Sequence, residues 1–377
     1  MKAPFVFGKV ATKDDFTDRE NEVRRLVSNF VSGTNSILIS PRRWGKSSLV
    51  VRASEVALKK NRKMKFCFVD LNNIRTEEQF YEALATSVLR ASATRIQAIA
   101  ENARKFMGRF VPNLTFSPGT GPEIKLSLDW KEVKKEPGDI VDLPEKLARN
   151  SGMNFIICID EFQNISEFTD PVSFQKQMRA HWQHHHNVSY CLYGSKRHMM
   201  MDVFESPSMP FYKFGDIIFL DKISAADWKS FLTKRFEDTG KRIGGEEAGL
   251  ISELADCHPY YVQQLARQSW LRTETVCSAE IIRSAFSDLI LQMSMLFQTI
   301  TDGLSNTQLN FLRALLSGAE QLSSQENIIE YQLGTSANVV RIKKALISKE
   351  IIDTGKNRIF FLDPVYRRWL MEYYFKL

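Results

Sequence analysis

The sequence predicts an α/β protein: a parallel sheet covered by helices on both faces, then an all-helical segment and a C-terminal winged helix. Three observations carry this. Five short apolar runs alternate with amphipathic stretches as far as Leu220. Beyond Asp221 the apolar runs give way to four helical patterns that reach Gly303. From Asn306 the order is helix, helix, helix, short hairpin, helix, which is the order of a winged helix. The expected domains are therefore 1–220, 221–300 and 301–377.

The candidate strands are Ser36–Ser40, Lys65–Val69, Phe155–Ile159, Tyr190–Tyr193 and Ile217–Leu220. Between them Glu20–Val31, Ser47–Lys60 and Glu77–Ala91 show helical spacing. Continuous apolar strands separated by helices of this length are what a sheet buried on both faces requires. One stretch breaks the rhythm. Phe110–Phe116 and Ile124–Leu128 alternate apolar and polar residues on either side of SPGTGP, which predicts a β-hairpin inserted near 108–130. In the C-terminal segment the third helix, Ser336–Ser348, is followed by EIIDTGKNRIFFLD, two short strands around a Gly-Lys-Asn turn.

Composition sets the outer bounds. With 377 residues, 44% apolar and 25% charged, the chain reads as an ordinary globular protein of two or three domains. The net charge of +7 comes from 51 basic and 44 acidic residues interspersed along the chain. That balance permits a polyanionic partner without requiring one. The five cysteines are scattered and include no CxxC pair, which argues against structural zinc and against a secreted disulfide framework. Cys67, Cys158 and Cys191 lie in apolar runs and read as small core residues. The N-terminal MKAPFVFGKVATKDD is too short in its apolar part for a signal peptide, and no apolar stretch approaches the roughly 18 residues that span a bilayer. The expectation is a cytoplasmic protein with no membrane partner.

The strand SILIS runs directly into Pro41-Arg42-Arg43-Trp44-Gly45-Lys46-Ser47-Ser48 and then into a helix. A strand, a tight loop and a helix N-terminus present backbone amides and a favourable dipole to a triphosphate. Gly45 lets the backbone approach closely, Lys46 reaches the β/γ-phosphates, and the Ser47 hydroxyl ligates Mg²⁺. The full pattern would place glycine at position 40, where this chain has Ser40. Serine is small but tolerates positive φ less well than glycine, so a strict motif search would pass over this site.

A second strand, FIICI, ends in Asp160-Glu161. Ligands of parallel sheets bind at that edge. Asp160 is placed to hold Mg²⁺ through its water shell, and Glu161 to orient and deprotonate an attacking water. A third strand ends in Gly194-Ser195-Lys196-Arg197. Ser195 reads either as a sensor of the γ-phosphate or as an ordinary turn serine. Arg197 reads either as an arginine finger acting on a neighbouring copy in a homo-oligomer or as a solvated arginine, with Arg42 and Arg43 as rivals in the loop itself.

Taken in order, PRRWGKSS, IDEFQNI, LYGSKRHMM and HPYYVQQLA resemble the archaeal-type ATPases of the STAND and AAA+-related P-loop class. Phe16–Glu22 is similar to that family's GRExE segment, although only Arg19 and Glu20 carry over, because Thr17-Asp18 stand where a glycine is usual. The likeness extends through the C-terminal DPVYRRWL and is loose only at the hairpin. It implies an ATP-hydrolysing switch or motor whose helical lid closes on the nucleotide. It also implies that Pro259, preceded by His258, lies against the base and that Arg19 helps enclose the adenine. Read without the resemblance, Pro259 simply starts a helix and Arg19 sits solvated in a first turn.

His181 and His184–His186 read as a solvated helix end rather than a metal site. The winged helix offers Ser336, Asn338, Arg341, Lys343, Lys344, Lys356, Asn357 and Arg358 to phosphates and base edges. Its net charge is modest, so DNA binding and simple packing both stay open. The leading expectation is an ATPase with ATP and Mg²⁺ as cofactors and DNA or a protein as a client. The alternative is a nucleotide-binding regulatory module with little turnover.

Overall fold

The strands of the N-terminal part are apolar on both sides because both sides are covered. Helix α1 (Glu20–Ser32) leads into β1 (Ser36–Ile39), α2 (Lys46–Lys60), β2 (Met64–Asp70), α3 (Glu77–Ser92) and α4 (Ile96–Met107). A hairpin follows, β3 (Asn113–Ser117) antiparallel to β4 (Glu123–Ser127), and then α5 (Trp130–Lys135), α6 (Gly138–Val141) and α7 (Leu143–Ser151). The remaining elements are β5 (Asn154–Asp160), a 3₁₀ turn Phe162–Glu167, α8 (Pro171–Trp182), β6 (Val188–Gly194), α9 (Arg197–Glu205) and β7 (Asp216–Phe219). This is a computed structural model, and it describes residues 3–12, 15–93, 96–108, 110, 113–117, 123–355 and 358–377. The SPGTGP turn beyond Ser117 lies outside the described residues.

The five strands form one parallel sheet in the order β2-β5-β6-β1-β7. Alternation along each strand sends residues to two cores. Ile37, Ile39, Ile157, Ile159 and Leu192 join α3, α7 and α8 on one face. Leu38, Ile156, Cys158, Cys191 and Tyr193 join Leu26, Phe30, Leu49 and Ala53 of α1 and α2 on the other. Central β6 is buried throughout, whereas the edge strands β2 and β7 expose Phe68 and Phe219. The chain leaves β1 for β2 at the far edge, so the order reverses beside β1. In open sheets of this kind the crevice at the carboxyl ends of such strands is where ligands sit.

The chain divides into two compact units, Thr12–Asp221 and Met1–Ala11 with Lys222–Leu377. The sequence had placed residues 1–220 together. Instead Phe5 packs against Phe231 and Phe236, and both Nε and Nη2 of Arg235 donate to the Pro4 carbonyl. Burying that phenylalanine fixes the first residues to the C-terminal unit.

The C-terminal unit contains α10 (Ala225–Glu237), β8 (Arg242–Ile243), α11 (Gly245–Leu254), α12 (Pro259–Arg272), β9 (Val276–Cys277) and α13 (Ala279–Asp302). The expectation that strands stop after Asp221 fails in one detail, since β8 and β9 make a two-residue parallel pair. There follow α14 (Asn306–Leu316), α15 (Gln325–Glu330), α16 (Ser336–Ser348), the antiparallel β10 (Ile352–Gly355) and β11 (Arg358–Phe361), and α17 (Pro364–Trp369). The boundary expected at 300 falls inside α13. The end of that helix belongs to both segments: Phe297 packs on Tyr366 and Trp369, and Thr301 hydrogen-bonds the Tyr366 hydroxyl at 2.8 Å. One continuous apolar core runs from Trp228 to Leu370.

Candidate nucleotide-binding site

The loop after β1 carries its backbone strain away from Ser40. Arg43 and Gly45 have positive φ, at 64° and 93°, and Ser40 does not. The backbone therefore does not require glycine at position 40; the left-handed residues fall three and five positions later. Gly45 caps α2, and Lys46 begins it. The Trp44 side chain is buried with Leu38 and Leu49 under α1 and α2, so what this residue presents at the loop is its backbone. Arg42 and Arg43 are exposed, and Pro41 is half-buried.

Lys46 is only 5% exposed, an unusual place for an ammonium group. Its Nζ donates to the carbonyls of Ser40 and Pro41, both at 3.2 Å. Next to it the Ser47 hydroxyl donates to Asp160 Oδ2 at 2.7 Å, although the two residues are far apart in sequence. The sheet brings them together, because β1 and β5 flank β6 and end at the same edge. Burial pushes the Asp160 carboxyl up, against the pull of the Ser47 hydrogen bond; the neighbouring Glu161 charge pushes it further and Lys46 opposes. A cation placed there would reverse that balance.

Glu161 follows in the left-handed conformation, φ 51° and ψ 43°, and its N–H donates to Asp160 Oδ1 at 2.8 Å. A non-glycine residue held there costs of order 1–3 kcal/mol, and such residues cluster at functional sites. Its Oε2 accepts from Ser195 Oγ at 2.7 Å and from Gln163 Nε2 at 2.5 Å. Burial alone would push this carboxyl up. The hydrogen bonds from Gln163 and Ser195, with the charges of Lys46 and Arg42, outweigh it and hold Glu161 below the usual glutamate range.

Lys46, Ser47, Asp160, Glu161 and Ser195 thus form one cluster. No hydrogen bond among the described residues joins Arg197 to this cluster: half-buried at the start of α9, its guanidinium lies over the exposed Phe219 ring at 4.9 Å. Arg19 is buried, contrary to the solvated alternative. It is 3% exposed with φ 69°, Nη1 pairs with Glu22 at 3.2 Å, and Nη2 has no hydrogen-bond partner. Burial lowers its basicity against the pull of Glu22. Pro259 is the first residue of α12, after His258 at the cap. Ser48 is buried in the first turn of α2.

Sequence reasoning missed two features of this unit. Gln163 is invisible to motif logic, since nothing about one amide in IDEFQNI marks it as a donor to Glu161. The histidines also differ from expectation. The His185 side chain is 3% exposed, and Asp142 Oδ1 meets both His181 Nδ1 (2.9 Å) and His185 Nε2 (3.0 Å), while His185 Nδ1 meets the Tyr190 hydroxyl at 2.7 Å. Their spacing showed one helical turn; Asp142, the cap residue between α6 and α7, was too distant in sequence to be seen.

The class these features define is a P-loop α/β fold followed by helices and a winged helix. Residues 295–372 match the model of a probable winged helix domain. A Walker-type ATPase of Pyrococcus abyssi is similar in fold, with a TM-score of 0.67 at 19% identity over 97% of this chain and 99% of that one. The Aeropyrum pernix ORC2 protein follows at 0.58 and 17%, covering 98% and 96%. The Aeropyrum pernix ORC1 protein in complex with DNA gives 0.51 and 16%, covering 100% and 99%. No curated protein sequence matches the chain. Among the described residues no helix is long and apolar enough to cross a membrane.

Proposed function

We propose that the chain binds Mg-ATP at Pro41–Ser48 and hydrolyses it as a nucleotide-driven switch. The observation that carries this is the meeting of Ser47 with Asp160 beside a buried Lys46 and an ionised Glu161, at the carboxyl edge of the sheet. In support, these four groups, with Ser195 beside them, converge where apolar residues would pack more cheaply.

In this reading Lys46 leaves the Ser40 and Pro41 carbonyls for the β/γ-phosphates, and the amides of Arg42 to Ser48 line the phosphate chain. The donor set suits magnesium. Ser47 and Asp160 are hard oxygens at hydrogen-bond distance, and among the described residues no group of three or more acidic, histidine or cysteine residues forms a self-sufficient metal cage. That is the habit of an ion that relies on one carboxylate, waters and substrate phosphates. Once bound, it neutralises charge on the phosphates. Glu161 accepts the proton of the attacking water, and Ser195 faces the same carboxylate as the sensor of the γ-phosphate. Arg19, whose buried Nη2 has no hydrogen-bond partner among the described residues, helps enclose the base. Arg197 contributes only in an assembly of copies, where mixing Arg197→Ala with Glu161→Gln would restore part of the activity that each lacks alone.

DNA is the proposed client of the winged helix, through the exposed Arg341, Lys344 and Arg358 and the half-buried Lys343. Lys356 and Asn357 lie outside the described residues. The test of the main reading is phosphate release with Mg-ATP alongside thermal melting. Release above background with an upward melting shift supports it. Neither effect at any ATP concentration overturns it.

A further inference from the structure

We propose that Gln163 is a positioning residue for Glu161: its side-chain amide, with the Ser195 hydroxyl, ties down one carboxylate oxygen and leaves the other to receive the proton of the attacking water. The inference rests on Glu161 being the general base.

The turn after β5 is built to aim this amide. Phe162 is fully buried and stacks on Phe204 at 5.6 Å, Ile165 is fully buried, and Asn164 Nδ2 donates to the Leu71 carbonyl at 3.1 Å. These three contacts fix the backbone of Phe162–Glu167. Gln163, between them, is 1% exposed and reaches Glu161 Oε2 at 2.5 Å. Ser195 Oγ reaches the same oxygen at 2.7 Å. Among the described residues no donor hydrogen-bonds Oε1 of Glu161.

Two features oppose a packing role for Gln163. A carboxylate only accepts, so the amide must turn its NH₂ group toward Glu161, and the amide oxygen is then left where nothing satisfies it. That Oε1 is buried and has no hydrogen-bond partner among the described residues. A residue needed for volume alone would be apolar here, because an orphaned carbonyl oxygen is unfavourable. The second feature is Gly194. Its φ is not positive, so the backbone does not demand glycine. A Cβ there would stand 2.0 Å from Gln163 Oε1 and 2.7 Å from Met200 Sδ. The glycine at the end of β6 makes room for the amide.

The test uses Gln163→Met, which keeps length and removes the donor, and Gly194→Ala, which crowds the amide from the other side. A base freed from one of its two anchors samples unproductive orientations, so kcat should fall roughly 10- to 100-fold. Affinity for Mg-ATP, measured directly, should stay within about threefold, since the lost interaction serves the transition state rather than binding. In a Glu161→Gln background neither change should lower turnover further, because both act through that carboxylate. A folded Gln163→Met enzyme with native kcat overturns the proposal, as does an equal further loss in the Glu161→Gln background. Should Gln163→Met melt before it can be assayed, Gly194→Ala gives the same readout. Native turnover in Glu161→Gln itself would remove the base assignment, and the positioning role with it. Low turnover there with full activity in both other variants removes the positioning role alone.

Discussion

The two units place their polar side chains differently, and the difference separates chemistry from architecture. In Thr12–Asp221 one group of buried polar residues converges at the carboxyl edge of the sheet, Ser40, Lys46, Ser48, Gln163 and Ser195, with Asp160 and Glu161 half-buried among them, while Ser36, Ser54, Glu145 and Gln175 are buried elsewhere. In the C-terminal unit the buried polar groups are scattered: Thr301 ties α13 to Tyr366 of α17, and Ser252 bonds the Ala248 carbonyl within its own helix. Its basic residues Arg341, Lys344 and Arg358 are exposed. Buried polar groups are costly unless partnered or used, so their convergence points to a ligand. Exposed charge carries no such information, since solvated surfaces are charged by default.

The largest effect that would break this contrast is catalytic. Glu161→Gln should keep Mg-ATP binding and lower turnover by roughly 10²–10⁴. A native rate in that variant would mean the buried cluster holds no base. Next comes binding. At a hundredfold excess over Kd, ATP should stabilise the N-terminal unit by about 2.7 kcal/mol; Lys46→Ala should lose most of that shift in a melting or denaturant titration. An equal shift in both proteins would place the phosphates elsewhere.

A smaller effect sharpens the architectural side. The Tyr261 hydroxyl of α12 donates to Asp363 Oδ2 at 2.5 Å, and Asp363 Oδ1 caps α17 through the amides of Val365 and Tyr366. Hydrogen bonds to charged groups are worth about 1.5–3 kcal/mol, so Tyr261→Phe should destabilise the C-terminal unit by about that amount. No change in urea midpoint would show that the helical segment and winged helix do not depend on this link. The smallest effect concerns the client. Neutralising Arg341, Lys344 or Arg358 should flatten the plot of log DNA affinity against log salt by about 0.9 each if they touch phosphates. Unchanged slopes would leave the winged helix a packing domain.

Much of this was legible in the sequence because periodicity reports burial. The sheet strands, α1, α2, α3 and the winged helix emerge at nearly their observed limits, since each repeats its apolar residues with a single period. The Lys46, Ser47, Asp160 and Glu161 cluster was legible for a different reason: strand ends in a parallel sheet converge, so residues remote in sequence can be placed together by topology. What escaped depends on contacts that no period encodes. Phe5 joins the C-terminal unit through aromatic packing with α10. Gln163 is aimed by the turn around it, and His185 is held by Asp142 from the turn between α6 and α7. A sequence pattern also does not say which residues of the loop after β1 take the left-handed conformation; here Arg43 and Gly45 do.

The central claim is that this buried cluster hydrolyses ATP rather than merely holding it. A single-turnover measurement with protein in excess over Mg-ATP asks this directly, by following both bound nucleotide and free phosphate. The account predicts that ATP binds and is converted, with phosphate appearing as bound ATP declines. ATP that stays bound and intact would contradict it and leave a nucleotide-binding module in its place.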